Sequence, residues 1–226
     1  MSTRLPQLNL PVEKIDPRKT ALLIIDMQRY FVHPEYPFGQ FISGMTPERS
    51  QYYYGRVGDM VIPNTQRLLE QFRSRGAYVV YTEFGSAWED GRDMAGWARR
   101  HNDMAREQLG SPIYPPFADD SCRVDDSLAP RSDEMIVQKT TSGPLNSTRL
   151  DDTLRVIGVS TVIVTGVVTD VCVAQTTREF GDRNFDAIVV SDACATFDDQ
   201  TQDATMATIA NTFGFVASTN EILQML

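Results

Sequence analysis

The feature that most constrains this chain is a succession of six short apolar runs, five of them followed, before the next, by a segment of helical period. The runs are TALLIID at 20–26, AYVVYTE at 77–83, DEMIVQK at 133–139, STVIVTGV at 160–167, DAIVVSD at 186–192 and FVAS at 215–218. A continuous apolar run, unlike a strictly alternating one, is what a strand buried on both faces requires. Helical spacing predicts helices over 60–75, about 93–109, 146–158 with an Asn or Ser cap, 170–183, 198–214 and 219–226. The alternation implies an α/β fold: a doubly wound, Rossmann-like three-layer sandwich around a six-stranded parallel sheet with right-handed crossovers. At 226 residues the chain fits a single domain, with 1–17 as an N-terminal extension. The stretch YFVHPEYPFGQFISGMTPERSQYYYGR at 30–56, rich in aromatics, Pro and Gly, reads as a long loop, and 85–130 is irregular around its one helix.

Charge and composition exclude several classes of function. A net charge of -9 with no run of Lys or Arg makes nucleic acid and anionic membranes poor partners. The longest apolar runs fall far short of the ~20 residues of a membrane span. The N-terminus carries no apolar segment with a cleavage site, so a cytoplasmic location is expected. Three cysteines, an odd number in a chain this long, suit free thiols better than a disulfide framework. His33 and His101 are far apart in sequence, which speaks against a histidine-based zinc site.

Ligands of open α/β sheets bind beyond the carboxyl ends of the strands. Strand one ends in Asp26, strand three in Lys139, and strand four runs into the turn before Cys172. Each residue has an ordinary reading: a turn acid, a surface charge, a small core filler. Lys139 is less ordinary, because three lysines stand against eighteen arginines and only this one lies beyond residue 19. A compact ammonium differs chemically from a guanidinium at the end of a buried strand. Cys172 lies near the start of a helix, where unpaired N–H groups and the helix dipole favour thiolate over thiol. Cys122 and Cys194 follow no comparable tight turn.

Three stretches together resemble the isochorismatase-like cysteine hydrolase superfamily: LLIIDMQRYF at 22–31, VQKTTSGPLNSTRLDDTLR at 137–155 and TGVVTDVCVAQTTRE at 165–179. The resemblance covers about residues 18–219 and implies a catalytic triad of Cys172 as nucleophile, Asp26 as proton acceptor and donor, and Lys139 as the cation beside both. It also implies a cis peptide between Val167 and Val168, with the N–H groups of Val168 and Cys172 as an oxyanion hole. Nicotinamidases of this superfamily carry histidine metal ligands after the second strand, where this chain reads YTEFGSAWEDG, so no metal and no cofactor are expected. The implied activity is hydrolysis of a C–N bond in a small amide or ureido compound of the ureidoacrylate, N-carbamoylsarcosine or biuret type, by a homo-oligomer, dimer or tetramer. Around the triad, Gln28 either meets a substrate amide or orders the local turn, Phe31 either walls the pocket or packs in the core, and Val167 is a third candidate substrate-binding residue. Arg99 and Arg100 either meet a substrate carboxylate or are surface charges. Two rivals are a non-catalytic binding or partner subunit of the same fold and a thiol redox sensor.

Overall fold

The computed structural model describes residues 14–226; the expected N-terminal extension lies mostly outside them. Ile15, at its end, is buried and donates its N–H to the Met225 carbonyl at 3.0 Å. The strands are β1 (Thr20–Ile25), β2 (Tyr78–Phe84), β3 (Met135–Lys139), β4 (Thr161–Val167), β5 (Asp186–Ala195) and β6 (Phe215–Ala217). The helices are α1 (Arg29–Val32), α2 (Pro37–Met45), α3 (Pro47–Arg56), α4 (Ile62–Ser74), α5 (Gly96–Leu109), α6 (Leu150–Val156), α7 (Ala174–Gly181), α8 (Asp199–Thr208) and α9 (Thr219–Met225). The six strands are all parallel in the order β3-β2-β1-β4-β5-β6, the expected doubly wound sheet. The chain reverses direction across the sheet between β1 and β4, and that switch point opens a crevice at their carboxyl ends.

All six residues of β1 are buried, with alternate side chains serving two cores. Leu22 and Ile24 join the aromatic-rich layer, whereas Ala21, Leu23 and Ile25 join the aliphatic one. Burying each such side chain contributes about 1.5–3 kcal/mol, so the two faces of this one strand couple both layers. β3 differs from the buried strand expected of it: it forms the sheet edge, and Ile136 is 48 % exposed while Lys139 is fully buried. Among the described residues no helix is long and apolar enough to cross a membrane.

Residues 30–56 are not a long loop; they fold into α1, α2 and α3. Pro37 and Pro47, read from sequence as interruptions, open α2 and α3, where a fixed φ and a missing N–H cost nothing. Phe38, Phe41 and Tyr53 on these helices turn into the core. The expected Asn or Ser cap of α6 is also absent. Arg149 stands at that position, while Asn146 donates to Glu179 and Ser147 accepts from the Thr140 N–H.

Gly166 is the tightest point of the sheet. Its φ is +106°, and a Cβ built there would lie 2.0 Å from the Ile25 carbonyl oxygen, which belongs to backbone that cannot yield. Gly166→Ala should therefore lower stability by about 3 kcal/mol or more, read as a reduced urea midpoint. A second expectation follows from burial, which pushes the acids Tyr30, Tyr53, Tyr114, Cys122, Cys172 and Cys194 above their ordinary values. The folded chain keeps these protons where the unfolded one releases them, so stability falls as pH rises above the ordinary values of 9.0 for Cys and 10.0 for Tyr. Urea midpoints measured from pH 8 to pH 11 should decline steadily; a flat profile would contradict this burial.

Candidate active site

Asp26 follows β1 directly, in the left-handed region with a φ of +52°, and is completely buried. The register across β1, β2 and β3 sets its neighbours: Ile25 pairs with Thr82, and Phe84 pairs with Lys139. Thr82 Oγ1 donates to Asp26 Oδ1 at 2.6 Å and accepts from the Asp26 N–H at 3.1 Å. Lys139 Nζ donates to Asp26 Oδ2 at 2.8 Å, forming an ion pair with neither side chain exposed. The same ammonium donates to the carbonyls of Ser142 at 2.9 Å and Thr141 at 3.2 Å, and lies 4.8 Å above the Phe84 ring. Its three protons thus have three oxygen acceptors, which a buried cation requires.

Cys172 reaches the same ammonium from β4, its Sγ 3.6 Å from Lys139 Nζ. It sits in a π-helical turn, Thr169–Val173, that leads into α7. The peptide between Val167 and Val168 is cis. The Val168 carbonyl accepts from the N–H groups of Val171 and Val173, at 3.1 and 3.2 Å, and not from that of Cys172 between them. Burial pushes the Cys172 thiol well up, the Lys139 cation pulls it back, and the Asp26 carboxylate pushes it up again. Burial works against the Lys139 ammonium, but Asp26 and Cys172 outweigh it and hold the ammonium above its ordinary value. Desolvation and the nearby cation thus act on the sulfur in opposite directions.

Cys172 and Val168 line the buried end of a cavity of about 560 Å3, and Asp26 and Lys139 stand behind them. Phe31 is part of the cavity wall, edge-on to Phe38 with ring centres 4.8 Å apart. Gln28 does not reach the cavity. Its amide donates to the Phe84 and Cys122 carbonyls and accepts from the Phe84 N–H at 2.9 Å, so it locks the turn after β1 onto β2. Val167 is fully buried and also outside the wall; its neighbour Val168 takes that place. Arg99 and Arg100 are exposed on α5 and are not part of the wall, although the Arg100 charge acts on His101, which is. Sequence reasoning missed Thr82, Phe84, Trp97, Tyr114 and Phe197; only the register of β1 against β2 could have pointed to Thr82. A second cavity of about 380 Å3, bordered by Glu89, Arg106 and Asp119, touches none of Asp26, Lys139 and Cys172. Among the described residues no three His, Cys, Asp or Glu side chains come close enough together to hold a metal ion.

Residues 20–221 match the isochorismatase domain. The chain is 29 % identical over 218 residues to the ureidoacrylate amidohydrolase RutB of Caulobacter vibrioides, covering 91 % of this chain and 90 % of that one. It is 26 % identical over 212 residues to an N-carbamoylsarcosine amidase of an Arthrobacter species, covering 92 % and 71 %. A crystal structure of a cysteine hydrolase from Pseudomonas syringae pv. phaseolicola superimposes with a TM-score of 0.77 at 28 % identity, covering 100 % of this chain and 98 % of that one. With the domain spanning nearly its whole length, the chain belongs to the isochorismatase family of hydrolases.

Proposed function

We propose that this hydrolase is a cysteine amidohydrolase, with Asp26, Lys139 and Cys172 as its triad, cleaving the C–N bond of a small amide or ureido compound and releasing ammonia. The observation that carries the reading is the single ammonium that bonds Asp26 at 2.8 Å and stands 3.6 Å from the Cys172 sulfur, at the closed end of a substrate-sized cavity. Amidohydrolase relatives such as RutB support the choice of bond. Asp26 takes the thiol proton as sulfur attacks the carbonyl carbon, so the thiolate forms only when it is consumed. The oxygen of the tetrahedral adduct gains negative charge and is met by the N–H groups of Val168 and Cys172. Asp26 returns the proton to the departing nitrogen, and the C–N bond breaks to give ammonia and a thioester. Asp26 then takes a proton from water, hydroxide adds to the thioester carbon, and the acid leaves as the thiol is restored. Lys139 remains charged throughout and holds the carboxylate in place. No metal or cofactor enters this sequence.

A buried thiol pushed upward is poorly suited to redox sensing, which favours exposed, low-pKa cysteines. Three free thiols suit a reducing compartment, and we assign the protein to the cytoplasm on that ground. We also assign it a homo-oligomeric state, dimer or tetramer, supported by the half-exposed Ile136 on the edge strand β3 and by Val156, which is 87 % exposed on α6. Elution at a multiple of 25.4 kDa is the expected result, and elution as a monomer would refute it.

Rapid quenching with substrate, followed by intact mass, should show an acyl adduct on the native chain and none on Cys172→Ala. That variant should lose about 10³-fold or more in kcat while changing stability by only about 1–2 kcal/mol. Lys139→Met should lose activity and also about 3–5 kcal/mol of stability, because Asp26 is left buried without its counter-charge. Full activity of Cys172→Ala would end the proposal.

A further inference from the structure

The wall of the cavity narrows the substrate further than the triad does. Beyond Cys172 and Val168 it consists mainly of rings and aliphatic chains, with Phe41, Phe84, Trp97 and Phe197 among them. Phe84 and Trp97 stack with planes 8° apart and centres 5.7 Å apart, which adds two rings to this apolar wall. At the mouth Met45 and Met104 are 55 % and 43 % exposed, and such flexible thioether chains adapt to apolar groups of varied outline.

Charge is missing from this wall. None of the described arginines lines it, and the one ammonium behind it already has its three protons directed to Asp26, Thr141 and Ser142. His101, the one remaining basic group in the wall, stands with its Nδ1 3.3 Å from the Tyr114 hydroxyl, and burial, with the Arg100 charge outside the wall, lowers it toward the neutral form. A substrate carboxylate placed among these rings would lose its water and find no cation in the wall to pair with. The polar groups gather instead at the reacting end, where the carbonyl of Ser142 and the sulfur of Cys172 both approach Lys139 Nζ.

We infer that the substrate is a primary carboxamide with an uncharged, bulky apolar acyl group, an aryl or arylalkyl amide, and not a carboxylate-bearing ureido or carbamoyl acid. This rests on the amidohydrolase reading and adds to it the chemistry of the acyl group. The relatives named for ureidoacrylate and N-carbamoylsarcosine, both carboxylate-bearing compounds, would then differ from this chain in the acyl pocket rather than in the reaction.

The test compares ammonia release from 3-phenylpropanamide and from succinamate, two primary amides that differ in the distal group. The full chain should show a kcat/KM at least about 100-fold higher for 3-phenylpropanamide. Equal or better turnover of succinamate, abolished by Cys172→Ala, overturns the inference and leaves the amidohydrolase standing. A second arm measures binding without turnover in the Cys172→Ala, Trp88→Phe double variant, where Trp97 is the remaining tryptophan. Saturable change of its fluorescence by 3-phenylpropanamide, with none from succinamate, is expected. If neither amide is hydrolysed but that binding occurs, the acyl-pocket assignment holds and the amidohydrolase reading falls; if 3-phenylpropanamide does not bind, the inference is wrong.

Discussion

The ion pair between Asp26 and Lys139 is the interaction on which the rest of the arrangement depends. Two opposite charges with no exposed surface are stable only where every remaining proton and lone pair is met, because desolvating each ion costs several kcal/mol. Thr82 meets one carboxylate oxygen, and the carbonyls of Thr141 and Ser142 meet the ammonium. Those carbonyls lie in a turn that needs holding in its own right. Glu179 on α7 provides the hold by accepting from the Leu145 N–H at 2.8 Å and from the Asn146 amide. Gly143 makes the approach possible, since a Cβ there would lie 2.3 Å from the Glu179 carboxylate. A carboxylate well outside the cavity thereby helps set the position of the ammonium inside the sheet.

Burial has opposite consequences for the two other partners of that ammonium. It keeps the Asp26 carboxylate in a strong, unscreened interaction. It also pushes the Cys172 thiol up, against the pull of a cation 3.6 Å away. In the proposed reaction the base has to be aimed before attack, and Thr82 and Lys139 fix the Asp26 carboxylate from both of its oxygens.

Much of this was legible in the sequence because parallel strands announce themselves as continuous apolar runs and because their carboxyl ends share one edge. Asp26, Lys139 and the turn at Cys172 stand where that reasoning put them relative to their strands. The failures have separate physical causes. Proline and glycine in 30–56 suggested a loop, yet Pro37 and Pro47 occupy first-turn positions at which proline favours a helix. For Gln28 two readings stood open, and the bonds of its amide to the backbone of β2 decide for the ordering of the turn. The upward push on the thiol could not be read from the helix start, because desolvation is a property of the whole packed site. The aromatic wall was invisible for a similar reason: Phe41, Trp97 and Phe197 are far apart in the chain and meet only through the crossovers.

The first four strands each contribute one group to the cluster. Asp26 follows β1, Thr82 lies in β2, Lys139 ends β3, and Cys172 follows β4, although in space the order is β3-β2-β1-β4. No segment of the chain short of Cys172 contains the complete set, and no pair of adjacent strands holds more than a part of it. Reactivity is in this sense a property of the finished sheet. A growing or partly unfolded chain exposes an ordinary cysteine, a carboxylate and a lone lysine, and their joint chemistry appears only when the central four strands are in register.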